Sequence, residues 1–284
     1  MSRGKDESNT FADQLRRYEA TLDRLTALGL RIAQSSRLHA YLGRLRQVTN
    51  DPSPFVSVAL ANQLTFDLRE IDELIEIVEA VAEAPTPAEL DRLRLIQKGH
   101  ETPDEPTADK ARDAQYELYL RAVLAKGGLD VEFHEPDLVV TAAGRKVHLA
   151  AKRPTSLARL DDRLRDAIGQ VARYPGPGIV AISLDQIIRP RKGLLVVPTT
   201  AALQPAVADL VDLFLFENRL SMSRRVAGKA LAALFLTTRL PGLATATNHS
   251  VLGTSLHTEV LVPPGTPDYD AVIAIFDAVQ RYLS

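Results

Sequence analysis

The residues best suited to chemistry fall within one short window. Glu117 stands in a helix-like run, Glu135-Pro136-Asp137 opens an apolar stretch, and Lys152-Arg153 closes the next one. Gln170 and Tyr174 follow, four positions apart. The chain has no cysteine and six histidines, so thiolate metal sites, disulfides and a cysteine nucleophile are excluded. The remaining metal ligands are carboxylates and imidazoles, a set that suits a hard cation such as Mg²⁺ better than structural zinc. If Lys146–Lys152 is a strand, His148, Ala150 and Lys152 share one face, because side chains alternate with period two. Asp137, starting the neighbouring strand, meets that face near its end. The spacing of four puts Gln170 and Tyr174 on one face of a helix, where they can hydrogen-bond a phosphate or brace the lysine.

The elements that must position these groups are readable from periodicity. A helix is expected from about Ala108 to Lys126, stopped by Gly127-Gly128. Strands are expected at Val131–His134, Asp137–Ala142 and Lys146–Lys152, with Gly144 in the turn. A helix over Leu157–Tyr174 ends at Pro175-Gly176-Pro177-Gly178, and a buried strand follows at Ile179–Leu184. Leu194–Val197, Ala230–Thr238 and Val251–Val262 read as further strands, Ala206–Arg224 as a helix and Asp268–Leu283 as a closing helix. The pattern predicts an α/β domain over 108–284 behind a helical N-terminal domain over 1–107, with Gly99–Thr107 as linker.

In the N-terminal part, Leu15, Tyr18, Leu22, Leu25, Leu28 and Ile32 form one apolar stripe. Leu64, Leu68, Ile71, Leu74, Ile75 and Val78 form a second. Thr86-Pro87 with Glu89 starts a third helix in capping-box form. Phe11–Asn50 holds seven Arg and three acids, whereas Asp51–Thr107 holds four basic residues and thirteen acids. Two complementary helices packed together explain this contrast; an arginine face on phosphates is the sharper reading. Each stripe has limited core of its own, so a homo-oligomer, a dimer, is expected through these helices.

The whole chain sets bounds. Its 284 residues are 45% hydrophobic and 25% charged, with a formal net charge of −2. That composition suits a globular protein and lacks the basic excess of a protein that coats nucleic acid, so any such contact needs a local patch. No run of about eighteen apolar residues occurs, so no membrane span is expected. Met1–Thr10 is polar with no apolar stretch behind it, and a cytoplasmic location is expected.

Taken singly, Pro136-Asp137 marks a strand start, Lys152 a strand end and Glu117 a helix surface position. Jointly, the order helix, strand, strand, helix, strand with these residues resembles the PD-(D/E)XK superfamily of restriction-endonuclease-like nucleases. Gln170-x-x-x-Tyr174 resembles the extra motif of its lambda-exonuclease and RecB-type branch. The resemblance implies a restriction-endonuclease-like mixed sheet flanked by helices. It implies Glu117 and Asp137 as ligands of Mg²⁺ or Mn²⁺, Lys152 as the residue that positions or activates water, and DNA or RNA as partner. A metal held by carboxylates would activate the water, relieve phosphoryl charge and assist the leaving oxygen. Arg153 is the accompanying phosphate contact.

One position departs from that pattern. The acid of the acid-x-Lys motif is Ala150, in Ala150-Ala151-Lys152. Either His148 or Glu135 replaces the ligand, or the fold has kept binding and lost cleavage, or the chain is an engineered inactive variant. The expected function is a metal-dependent nuclease, or a nuclease-derived protein, in defence, restriction or repair. The alternative is a catalytically inactive nucleic-acid-binding or oligomeric scaffold protein on the same fold. On either reading, Asp137 and Lys152 should lie on adjacent strands of one sheet.

Overall fold

The computed structural model describes residues 11–51, 58–99, 110–188, 195–246 and 249–283. The expected linker falls almost entirely outside them. Four helices come first: α1 Phe11–Ala27, α2 Arg37–Asn50, α3 Val58–Ala80 and α4 Pro87–Ile96. Ser36 caps α2, and Thr86 with Glu89 forms the expected capping box on α4. Helix α5, Lys110–Lys126, leads into β1 Asp130–Phe133, β2 Leu138–Ala142 and β3 Arg145–Lys152. Then come α6 Leu157–Val171, β4 Gly178–Ser183, β5 Leu195–Val197, α7 Leu203–Val226, β6 Ala233–Ala244, β7 His249–Val260 and α8 Pro267–Leu283.

The strands form one mixed seven-stranded sheet in the order β1-β2-β3-β4-β6-β5, with β7 on the other side of β6. β1, β2 and β3 are antiparallel neighbours; β3, β4 and β6 run parallel. The β2–β3 hairpin turns on Ala143 and Gly144, both at positive φ, the geometry that matches the twist of a two-residue turn. The fold is therefore α/β with a helical N-terminal region. β6 runs past its expected end, through Pro241-Gly242. Pro241 is tolerated because it sits between the β4 pairing, which ends at Thr237, and the β5 pairing, which begins at Gly242.

Two apolar clusters lie on the two faces of the sheet. Leu149, Ala151, Ile179 and Phe235 face α1–α5 and α8, while Ala150, Val180, Ile182 and Leu234 face α6 and α7. The α3 stripe is buried in the first cluster, whereas the first stripe is buried there at Tyr18, Leu22 and Leu25 and half-buried at Leu15, Leu28 and Ile32. The basic and acidic segments pair as packed helices: Arg37 with Glu70, Arg44 with Asp67 and Arg17 with Glu79.

Candidate functional site

Asp137 and Lys152 sit together at the open end of the β2–β3 hairpin. Leu138 pairs with Leu149, so one step further along the antiparallel register Asp137 lies opposite Ala150. Its Oδ2 accepts a hydrogen bond from the Ala151 N–H at 2.7 Å and another from Lys152 Nζ at 3.0 Å. Both side chains are about nine-tenths buried. Burial pushes the Asp137 carboxyl up, and the Lys152 ammonium opposes that shift. Lys152 is therefore held inside as the counterion of Asp137 and does not lie on the surface.

Glu117 projects from α5 toward the same place, near enough that the Asp137 charge adds to burial in raising its carboxyl. Its Oε2 accepts from Arg92 Nε at 2.7 Å. Arg92 comes from α4 and also covers the Phe133 ring at 4.2 Å. The helical N-terminal region thus supplies a cation to one of the two nominated carboxylates, a partnership no local spacing announces.

Ala150 is fully buried and packs in the cluster that contains Leu160, Leu164, Ala167 and Ile168 of α6. A carboxylate there would displace apolar packing. His148 lies two residues back on the same face, opposite Val139. Its ring stacks on Tyr174 at 4.8 Å, and burial lowers its affinity for a proton, with a backbone hydrogen bond to Glu135 opposing. Glu135 itself is exposed. The donor set tests poorly for a divalent ion. Glu117 and Asp137 each face a cation already, and the third position is apolar. Among the described residues, no three His, Asp or Glu side chains form a group able to hold a metal ion.

Gln170 and Tyr174 do not share a helix face. α6 stops at Val171, and Tyr174 lies in the following turn, bonded through its N–H to the Val171 carbonyl. Pro175 explains the early stop, since the residue before a proline is driven away from helical backbone. Tyr174 instead bridges His148 and His134, whose ring meets it edge-on at 6.4 Å. The Gln170 Oε1 is buried without a hydrogen-bond partner among the described residues.

Arg153 points into a second polar centre on the other side of the strand ends. Its guanidinium donates to Glu73 at 2.8 and 3.1 Å and to Asp185 at 2.9 Å, and it is 2% exposed. A phosphate cannot reach it without displacing α3, so its expected role as a phosphate contact is corrected to one of internal pairing. Asp185, just beyond β4, also accepts the Arg239 N–H of β6 at 2.6 Å. Glu70 accepts from Arg37 at 3.0 Å, Arg69 at 2.9 Å and Arg112 at 3.2 Å. Gln115 joins the two halves: it accepts from Arg37 at 2.7 Å and donates to Glu73 at 2.8 Å. Burial alone would push the Glu70 carboxyl up, but Arg112, Arg153, Arg69 and Arg37 outweigh it and hold it well below the usual range. Arg153 is likewise held charged by Glu73, Glu70 and Asp185 against the effect of burial.

This second centre occupies the carboxyl ends of parallel strands β3 and β4, where open α/β sheets place their ligands. Here α3 covers it. Asp185 was discoverable, as an acid directly after a buried strand. Glu70 and Glu73 were legible only as part of an acidic amphipathic helix. No protein-family model and no curated protein matches the chain.

Proposed function

We propose that this protein is a nuclease-derived module on a restriction-endonuclease-like fold that no longer hydrolyses phosphodiesters and works as a noncatalytic scaffold. The observation that carries this reading is the Lys152 ammonium 3.0 Å from Asp137 Oδ2, beside a fully buried Ala150 where the resemblance expects an acid. A hydrolytic centre of this type needs carboxylates open to a cation, and water with room to attack. Asp137 is instead neutralised by its own lysine, and Glu117 by Arg92. The net charge of −2 and the burial of Arg153 favour the scaffold over a nucleic-acid binder.

The test is cleavage of single- and double-stranded DNA and RNA with Mg²⁺ or Mn²⁺, alongside a band-shift measurement on the same substrates. Native protein and Asp137→Ala should leave the substrates equally intact and unshifted. Cleavage that Asp137→Ala and Lys152→Ala both abolish would restore the metal-dependent nuclease. Salt-sensitive binding without cleavage would make DNA or RNA the partner of an inactive fold.

A further inference from the structure

Helix α7 is apolar on two sides. Its inner face buries Leu203, Val207, Val211, Phe214, Met222 and Val226 against the sheet. The close seat is enforced by Gly242 and Gly253, where an added Cβ would stand 2.5 Å from Leu203 and 2.6 Å from Val207 side-chain atoms. On the outer face, Leu213 is 54% exposed, Phe216 85% and Leu220 74%. Spacings of three and four place these three on one stripe. A helix with apolar stripes on opposite sides requires cover on both.

The charges flanking the outer stripe identify the cover. Asp209 lies four residues before Leu213, and Arg224 four residues after Leu220. Both are exposed, and neither has an ion-pair partner among the described residues. The pattern is symmetric in spacing and opposite in charge about a centre between Phe216 and Glu217. Laid antiparallel on its own copy, the stripe sets Leu213 against the partner's Leu220 and Phe216 beside the partner's Phe216. Asp209 then meets the partner's Arg224 at both ends at once.

We infer that this outer face of α7 is a self-association surface that pairs two copies of the chain antiparallel about a two-fold axis. An isologous contact requires such self-complementarity. Glu217 stands beside the axis and meets its own symmetry mate, a like-charge approach that limits the affinity. The contact of one helix on another is small, so the dimer is reversible, with dissociation in roughly the micromolar range. The inference is independent of whether the Asp137 centre hydrolyses anything.

Sedimentation of the full chain over a wide concentration range tests it. The native protein should pass from monomer to dimer. Phe216→Glu should remain monomeric with an unchanged thermal melt, since that side chain touches little within its own chain. Arg224→Glu should weaken the dimer at least tenfold, and adding Asp209→Arg to the same chain should restore it. The two positions are about 22 Å apart along the helix, too far to pair with each other, so rescue reports contact between copies. Glu217→Gln should tighten the dimer. A native protein that stays monomeric at every concentration would give this face to a different partner and overturn the inference. So would association indifferent to Phe216→Glu, or failure of the charge swap to rescue.

Discussion

The two polar centres of this molecule are built from the same materials and differ in how they are assembled. The Asp137–Lys152 pair joins residues fifteen apart across one hairpin, with Glu117 and Arg92 approaching from two helices. The Arg153–Glu73 pair joins residues eighty apart, and its network draws on α2, α3, α5, the ends of β3 and β4 and the middle of β6. The first is an ion pair across two neighbouring strands, beside a fully buried alanine. The second is a lock between the helical region and the sheet. The difference teaches that a pair across one hairpin can be read from strand alternation, while the charges under the greatest constraint carry no spacing signature.

The largest effect should come from the second centre. Glu70→Leu leaves Arg37, Arg69 and Arg112 without their shared carboxylate in a buried setting, a loss of about 3–5 kcal/mol measured by urea denaturation at pH 7. The sign with pH follows. The folded-state carboxyl of Glu70 lies below its ordinary value near 4.5, so its stabilisation is present above that value and is lost as pH falls below it. Glu70→Gln should be destabilised at pH 7 and show a shallower loss of stability on acidification than the native chain. Equal acid limbs would show that the lock does not depend on this charge.

Ala150→Glu sharpens the contrast from the other side. If Ala150 is part of apolar packing under α6, a carboxylate there costs roughly 2–4 kcal/mol and yields no cleavage. A folded variant that gains Mn²⁺-dependent cleavage would mean the first centre is a metal site lacking one ligand. The smallest effect belongs to the surface. Arg17→Gln removes a half-exposed pair with Glu79 and should change stability by less than about 0.5 kcal/mol. A larger loss would show that the helical region is held by surface charge as well as by the buried lock.

The sheet was legible where local physics decides it. The β2–β3 hairpin follows from period-two apolar runs joined at Ala143-Gly144, and α4 from Thr86-Pro87 and Glu89. Other elements were misjudged for identifiable reasons. α2 went unseen, although Leu38, Tyr41, Leu42, Leu45 and Val48 are spaced as one buried stripe. β6 continued through a proline because its neighbour changes there from β4 to β5. Asp137 and Lys152 lie together where strand alternation puts them, whereas Glu117 is singled out by the resemblance and not by any spacing. Their charge partners did not follow from spacing: Arg92 reaches Glu117 from a separate helix, and Arg153 turns away from the hairpin into α3. Contacts between elements distant in sequence are set by packing, which no periodicity encodes.

A double-mutant cycle on Asp137 and Lys152 tests most directly whether the first centre is a structural ion pair. Asp137→Ala, Lys152→Ala and the double variant would be compared with the native chain by urea denaturation at pH 7. The account predicts that each single change is destabilising and that the double variant is less unstable than their sum, with a coupling of about 1–3 kcal/mol. Single changes that leave stability unaltered, or effects additive within about 0.5 kcal/mol, would mean that the lysine is not the structural counterion of Asp137.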